Sequence, residues 1–264
     1  PYPGRARGGG GLTYAPRMIR NPVGGPGAQI PIPSIANLRD LGGWPTRDGA
    51  VTRHGVLFRS AALDRLGGAD VETFARYRIA QIFDLRTRAE READPDVTPA
   101  GSTYRILDIV QDSTSTAVDD LLDSLADPVA ATEVLADGRA TQIFRERYRE
   151  LVTLPSAREC YRQFLTEVSS FGSLPILFHC TTGTDRTSWA AALLLLIAGV
   201  SEDDVMEEYL LTNEQLLPAL RPVIERFAAG GGDPELLELA IGVRPEYLRA
   251  SIAAARNTYG SFDL

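Results

Sequence analysis

Lysine is absent from this 264-residue chain, so all 27 of its Lys+Arg positions are arginine. Composition bias toward arginine is the plain reading of that absence. Basic charge is scarce overall: the formal net charge is −8. A broad nucleic-acid footprint needs a basic face that displaces counterions, so nucleic acid is not expected as a partner. Cysteine is scarcer still, and two residues make no disulfide framework for a chain this long. Long apolar runs are missing too. The longest, Trp189 to Val200, falls short of the ~18–20 residues of a membrane helix and reads as a buried helix, so the chain is not expected to span a membrane. A soluble protein, cytoplasmic or secreted, is the expectation. Residues 1–11, rich in glycine and starting without Met, read as a disordered arm, a cloning remnant or the end of a removed leader.

Apolar content is ordinary and supports a sizeable core, so 12–264 is read as a single domain. Residues 12–36 carry repeated Pro and Gly and predict an irregular arm. Val51 to Phe58 predicts a strand or hairpin arm, and Gly68 to Tyr77 a short helix. Ile79 to Arg86 is a compact apolar run suited to a buried parallel strand, and Ser102 to Ile109 is another strand candidate. From about 111 to 154 the apolar spacing turns helical, and this stretch predicts an inserted helical cap. Ser156 is expected to cap a helix running to about Ser170. "LPILFH" predicts the last core strand. Helices follow from near Asp185 and over 202–212, 213–229, 234–241 and 245–257. The order implies an α/β fold: a small, mostly parallel central sheet flanked by helices, carrying the cap. In such sheets ligands sit where loops leave the carboxyl ends of strands, and Cys180 lies at that place.

The stretch "LFHCTTGTDRTSW", Leu177 to Trp189, concentrates the chemistry. Thr181, Thr182, Gly183, Thr184 and Asp185 are small or polar, so successive backbone N–H groups can turn inward as an anion nest. Gly183 tolerates backbone angles that other residues resist. The following helix aims its free N–H groups and positive dipole end at the same point. Arg186 supplies a planar fork for two phosphoryl oxygens. That field favours an ionised Cys180 and makes it a ready nucleophile. The Thr187 hydroxyl is placed to hydrogen-bond the thiolate. His179 is read as shaping the loop.

"HCTTGTDRTSW" is similar to the HCxxGxDRT signature of the cysteine-dependent protein tyrosine phosphatase superfamily. "NLRDLGG", "GVLFRSAAL" and "DLRTRAERE" resemble, in order, further blocks of its bacterial branch of the mycobacterial tyrosine phosphatase B type. The resemblance covers about 36 to 215. It implies a tyrosine phosphatase-like fold with the helical insertion as a lid over the active site. It also implies a phosphomonoester hydrolase in which Cys180 attacks phosphorus and forms a cysteinyl-phosphate. Arg186 and the amides of 181–186 would stabilise the equatorial oxygens, and water would release phosphate. No metal or other cofactor is needed, because the arginine and amides neutralise the charge. The partner is then a phosphorylated substrate: a phosphotyrosine protein, a small-molecule phosphate or a lipid phosphate. A non-catalytic phosphate-binding module is the alternative of another class.

Three aspartates compete to protonate the leaving group. Asp185 lies inside the loop, and related phosphatases with an aspartate there use it as the acid. Asp84 ends the "IFDLR" strand and should point into the same crevice. Asp108 ends "YRILD". Their structural alternatives are a helix cap, a partner for Arg86 and a turn former. The family often has lysine where this chain has Thr184, and its absence argues against a preference for polyphosphoinositides. Cys160 is read as a core thiol, Arg59 as a structural ion-pair partner, and Trp189 as packing beneath the loop. Phe144 and Tyr148 either wall the substrate pocket or hold the cap on the domain.

Overall fold

The computed structural model describes residues 25–170 and 174–262. The expected arm over 1–11 lies outside them. Five strands form one sheet: β1 (Arg39–Asp40), β2 (Leu57–Ser60), β3 (Gln81–Asp84), β4 (Thr103–Ile106) and β5 (Ile176–His179). Their order is β1-β2-β5-β3-β4, with only β1–β2 antiparallel. The α/β reading with a small, mostly parallel sheet therefore holds. The strand predicted over Val51 to Phe58 is realised only at its end, as β2 (Leu57–Ser60). Val51 meets Pro45 in an isolated bridge, and only Leu57 onward joins the sheet.

Alternation along the central strands feeds two cores. Phe83, Ile176 and Phe178 face a large helical core, whereas Ile82 and Leu177 face a smaller one with Phe58, Phe74 and Leu63. Ile30, Ile32 and Ile35 cover that smaller core. The "IPIPSI" segment is thus irregular, as its prolines dictate, yet its three isoleucines are buried while both prolines stay exposed. Register aligns the strand ends that matter: Ser60 and Asp84 both pair with His179. The loops after β2, β3 and β5 consequently leave one edge of the sheet together.

Around the sheet lie α1 (Ala69–Ala75), α2 (Arg88–Ala93), α3 (Ala117–Ser124), α4 (Pro128–Leu135), α5 (Arg139–Thr153), α6 (Pro155–Val168) and α7 (Asp185–Ile197). Then come α8 (Glu202–Ala229), α9 (Pro234–Ile241) and α10 (Pro245–Tyr259). The predicted insertion forms α3 to α5. α5 is knitted into the helical core: Phe144 stacks on Tyr247 with centroids 5.3 Å apart, and Ser251 Oγ donates to Tyr148 O at 2.5 Å.

Two helix expectations need correction. Residues 202–229 form one helix, although it contains Pro218 and Pro222. Both prolines are exposed and four residues apart, so their missing N–H groups fall on one solvent-facing side. Ser156 is not a cap; Leu154 is the N-cap residue and Pro155 opens α6. The cap comes from outside the helix, where Asp112 Oδ2 accepts the Ser156 N–H at 3.0 Å.

Candidate active site

Cys180 follows β5 and is almost completely buried, at 2 % exposed. Its loop is fixed by its carbonyls. His179 Nδ1 meets Cys180 O at 3.1 Å, and Ala62 N–H donates to Thr181 O at 3.1 Å. Asn37 Nδ2 donates to Thr182 O and Gly183 O at 3.2 and 3.1 Å, and Arg59 Nη2 donates to Gly183 O at 2.6 Å. In a planar trans peptide the N–H opposes the C=O. Carbonyls anchored to the scaffold therefore turn the N–H groups of 181–184 the other way, into the loop. Asp185, Arg186 and Thr187 add the open N–H groups of the first turn of α7.

Gly183 makes this turn possible. Its φ is +72°, and a Cβ there would stand 2.5 Å from Ser60 O. Behind the loop, Glu208 takes Arg39 Nε at 2.7 Å and Arg59 Nη1 at 2.8 Å, all three side chains buried. Burial first, and then the neighbouring Arg59, pull Arg39 down to about 10, so it stays protonated at neutral pH. Arg59 also donates to Ser188 Oγ at 2.7 Å. The structural ion-pair reading of Arg59 fits this placement.

Arg186 is held by a residue that motif reading passed over. Glu90, on α2, accepts Arg186 Nη1 and Nη2 at 2.6 Å each. The same carboxylate accepts the Thr181 hydroxyl at 2.5 Å and the Thr87 N–H at 2.8 Å. Thr87 and Glu90 form a capping box at the start of α2. Its T-x-x-E spacing was legible in "DLRTRAERE", although its link to Arg186 was not. Burial opposes ionisation of Glu90, but Arg186 outweighs it and holds the carboxyl well below the usual carboxylate range. With Nη1 also near Leu85 O, the guanidinium keeps its Nε–H and one Nη2–H free among the described residues. These two donors form a parallel fork of the kind that grips two oxyanion oxygens.

The three candidate acids part company here. Asp185 stays at the loop, partly buried, where Arg147, Tyr148 and Arg186 all act on its charge. Burial raises its carboxyl above the ordinary value, against the pull of Arg147, Tyr148 and Arg186. Tyr148 OH accepts from Tyr209 OH at 2.9 Å and so joins the cap helix to α8. Asp84 does not share the crevice. It is fully buried, and its carboxylate grips Arg86 Nε and Nη2 at 2.8–3.1 Å and accepts Tyr104 OH at 2.5 Å. The expectation that Asp84 points to the loop is thus corrected: an adjacent arginine, itself buried, draws the carboxylate inward. Asp108 Oδ2 accepts the Arg88 N–H at 3.0 Å, at the start of α2. Thr187 Oγ1 is buried beneath the loop with no partner among the described residues.

Asp84, Asp96 and His179 bring metal-ligand atoms within 4.8 Å of one another. Arg86 Nη2 lies 2.7 Å from Asp96 and Tyr104 OH 2.6 Å from it, so a guanidinium and a phenol already take the place a cation would need. His179 Nε2 sits 3.2 Å from Asp96. Burial works against the Asp96 charge, but His179, Tyr104 and Arg86 hold its carboxyl down at about 2. This cluster braces the loop from below.

A family model described as the tyrosine phosphatase family matches residues 30–264. The chain belongs to the tyrosine phosphatase family. It is therefore a phosphoric monoester hydrolase of that type, as the motif resemblance implied. The triple specificity protein phosphatase PtpB of Mycobacterium tuberculosis is 31% identical over 257 residues, 85% of this chain and 91% of that protein. A Cupriavidus necator protein named as a tyrosine-protein phosphatase is 30% identical over 87% of this chain and 80% of its own length. The solved structure of Pseudomonas aeruginosa TpbA aligns over 72% of this chain and 89% of its own, at 18% identity and a TM-score of 0.29, too slight a likeness to argue from. Among the described residues no helix is long and apolar enough to cross a membrane.

Proposed function

We propose that Cys180 is the nucleophile of a phosphatase that acts on aryl phosphate monoesters of the phosphotyrosine type. One observation carries this reading: a loop whose carbonyls are all tied outward surrounds a buried thiol, beside an arginine fork left open by Glu90. The substrate phosphoryl enters with its oxygens on the N–H groups of 181–187 and on the free edge of Arg186. The Cys180 thiolate attacks phosphorus in line, and the bond to the leaving oxygen breaks. Asp185 gives that oxygen its proton, and its raised carboxyl suits the task. Water then attacks the cysteinyl-phosphate, Asp185 takes a proton back, and the Thr187 hydroxyl steadies the departing thiolate. Charge in the transition state is neutralised by backbone dipoles and arginine.

The depth of Cys180 supports aryl over alkyl substrates, since a long flat side chain reaches a buried sulfur that a seryl phosphate does not. Thr184 in place of a basic residue supports a substrate with a single phosphate over a polyphosphorylated head group. The deciding experiment compares wild type with Cys180→Ser on p-nitrophenyl phosphate, phosphotyrosyl and phosphoseryl peptides, and phosphoinositides. The reading expects turnover of the first two that vanishes with the sulfur. Undiminished turnover in Cys180→Ser overturns the nucleophile assignment, and faster phosphoserine hydrolysis overturns the substrate class.

A further inference from the structure

A cavity lies on the helical side of the molecule, against the body of α7. It holds about 610 Å³ between α5, α6, α7 and the end of α10, and Leu151, Leu165, Trp189, Leu193, Ala255 and Phe262 give it apolar walls. That is the size of a small-molecule pocket, typically ~300–1,000 Å³. Cys180, Asp185, Arg186 and Glu90 do not line it. Two of its wall residues nevertheless touch the loop's foundation. Tyr161 OH donates to Arg186 O at 2.9 Å, and Trp189 lies three residues beyond Arg186, one turn down the same helix.

The charges at the rim are unequal. Arg162 forks onto Glu159 at 2.6 and 2.9 Å, which neutralises both. Arg158 has no carboxylate partner among the described residues; its guanidinium lies over the Tyr259 ring, 5.6 Å from the centroid. An apolar chamber whose mouth carries a cation with no carboxylate partner among the described residues complements an apolar body that ends in one negative group.

We propose that this cavity binds a compact aromatic or aliphatic carboxylate, or a like monoanion, and that the phosphate loop senses its occupancy. The apolar body lies against Trp189 and Leu193, and the anionic group meets Arg158. A ligand pressing on Tyr161 and Trp189 shifts the Arg186 carbonyl and the first turn of α7. Binding itself stands apart from the catalytic reading; the coupling rests on it.

The test uses anilinonaphthalene sulfonate as fluorescent probe and decanoate as competitor, on the full chain carrying Cys180→Ser. One saturable probe site displaced by decanoate is expected. Leu193→Trp fills the chamber, and Arg158→Glu reverses the rim charge on an exposed side chain. Each should weaken the probe and decanoate at least about tenfold, the scale of one lost charge-assisted contact, while Arg158→Glu leaves binding of neutral decanol unchanged. Wild-type affinity in both variants, or an equal loss of decanol and decanoate in Arg158→Glu, overturns the site. Calorimetric titration of inorganic phosphate with and without decanoate tests the coupling. The phosphate affinity should change at least about twofold, and the decanoate affinity should change by the same factor when phosphate is present. Phosphate that binds with no such change overturns the coupling; phosphate that does not bind at all overturns the catalytic reading and leaves the probe result to judge the cavity.

Discussion

Glu90→Gln separates a designed phosphate grip from a chance ion pair. In wild type one carboxylate receives two Arg186 N–H groups at 2.6 Å, and Arg186 is nearly buried. A charge-assisted bond contributes ~1.5–3 kcal/mol. The amide keeps one acceptor but sets an NH2 against the second guanidinium N–H, so one such bond and the ionic attraction are lost. Glu90 retains 29% side-chain exposure, so the loss stays below the ~3–5 kcal/mol of breaking a fully buried pair. About 2–3 kcal/mol follows. For a chain this long that lowers the melting temperature by roughly 5–10 °C. Bound tungstate, which gives Arg186 another counter-charge, should shrink the deficit. Because folding depresses the Glu90 carboxyl, its stabilisation is present above the unfolded value of ~4.3 and lost as pH falls below it. The melting gap between wild type and variant should therefore close in acid. With Arg186 less well aimed, kcat/KM for p-nitrophenyl phosphate should drop about 10–100-fold. Calorimetry across pH with parallel steady-state kinetics measures all of this. A variant that melts with wild type at neutral pH and keeps full kcat/KM refutes the reasoning.

Asp185→Asn should slow hydrolysis of poor leaving groups by ~10²–10⁴ while nearly sparing activated aryl phosphates, and it should erase the fall in rate as pH rises past the Asp185 pKa; a pH–rate profile with both substrate types checks it. Asp84→Asn should cost stability on the scale of a broken buried ion pair, ~3–5 kcal/mol, and slow good and poor leaving groups alike, as denaturant melts with the same substrate pair will show. Gly183→Ala places a methyl 2.5 Å from Ser60 O at a φ of +72°, so phosphate binding by calorimetry should weaken at least about tenfold even where the chain stays folded.

Much of this was legible in the residues. The apolar runs at Ile79 and Leu174 announced the central parallel strands because both faces are covered. The loop was legible because small residues, a thiol and an arginine at that spacing have few other uses. What escaped was tertiary. Asp84 could be placed at a strand end from sequence, but its side chain was claimed by Arg86, two residues on, and by Tyr104 on the next strand. Glu90 and the short helix it helps to cap went unread although their T-x-x-E spacing is local, and its hold on Arg186 depends on α2 arriving beside α7, which no local pattern encodes. Ile30 to Ile35 read only as part of an irregular arm because proline rules report lost backbone hydrogen bonding and say nothing of which side chains are buried.

The central claim is that Cys180 bonds covalently to phosphorus. Rapid quenching in acid during turnover of an aryl phosphate, followed by peptide mass analysis, tests it most directly. The account predicts one phosphoryl group on the Cys180 peptide, more abundant in a variant with slowed hydrolysis and absent from Cys180→Ser. Turnover without that adduct, or the adduct on another residue, contradicts it.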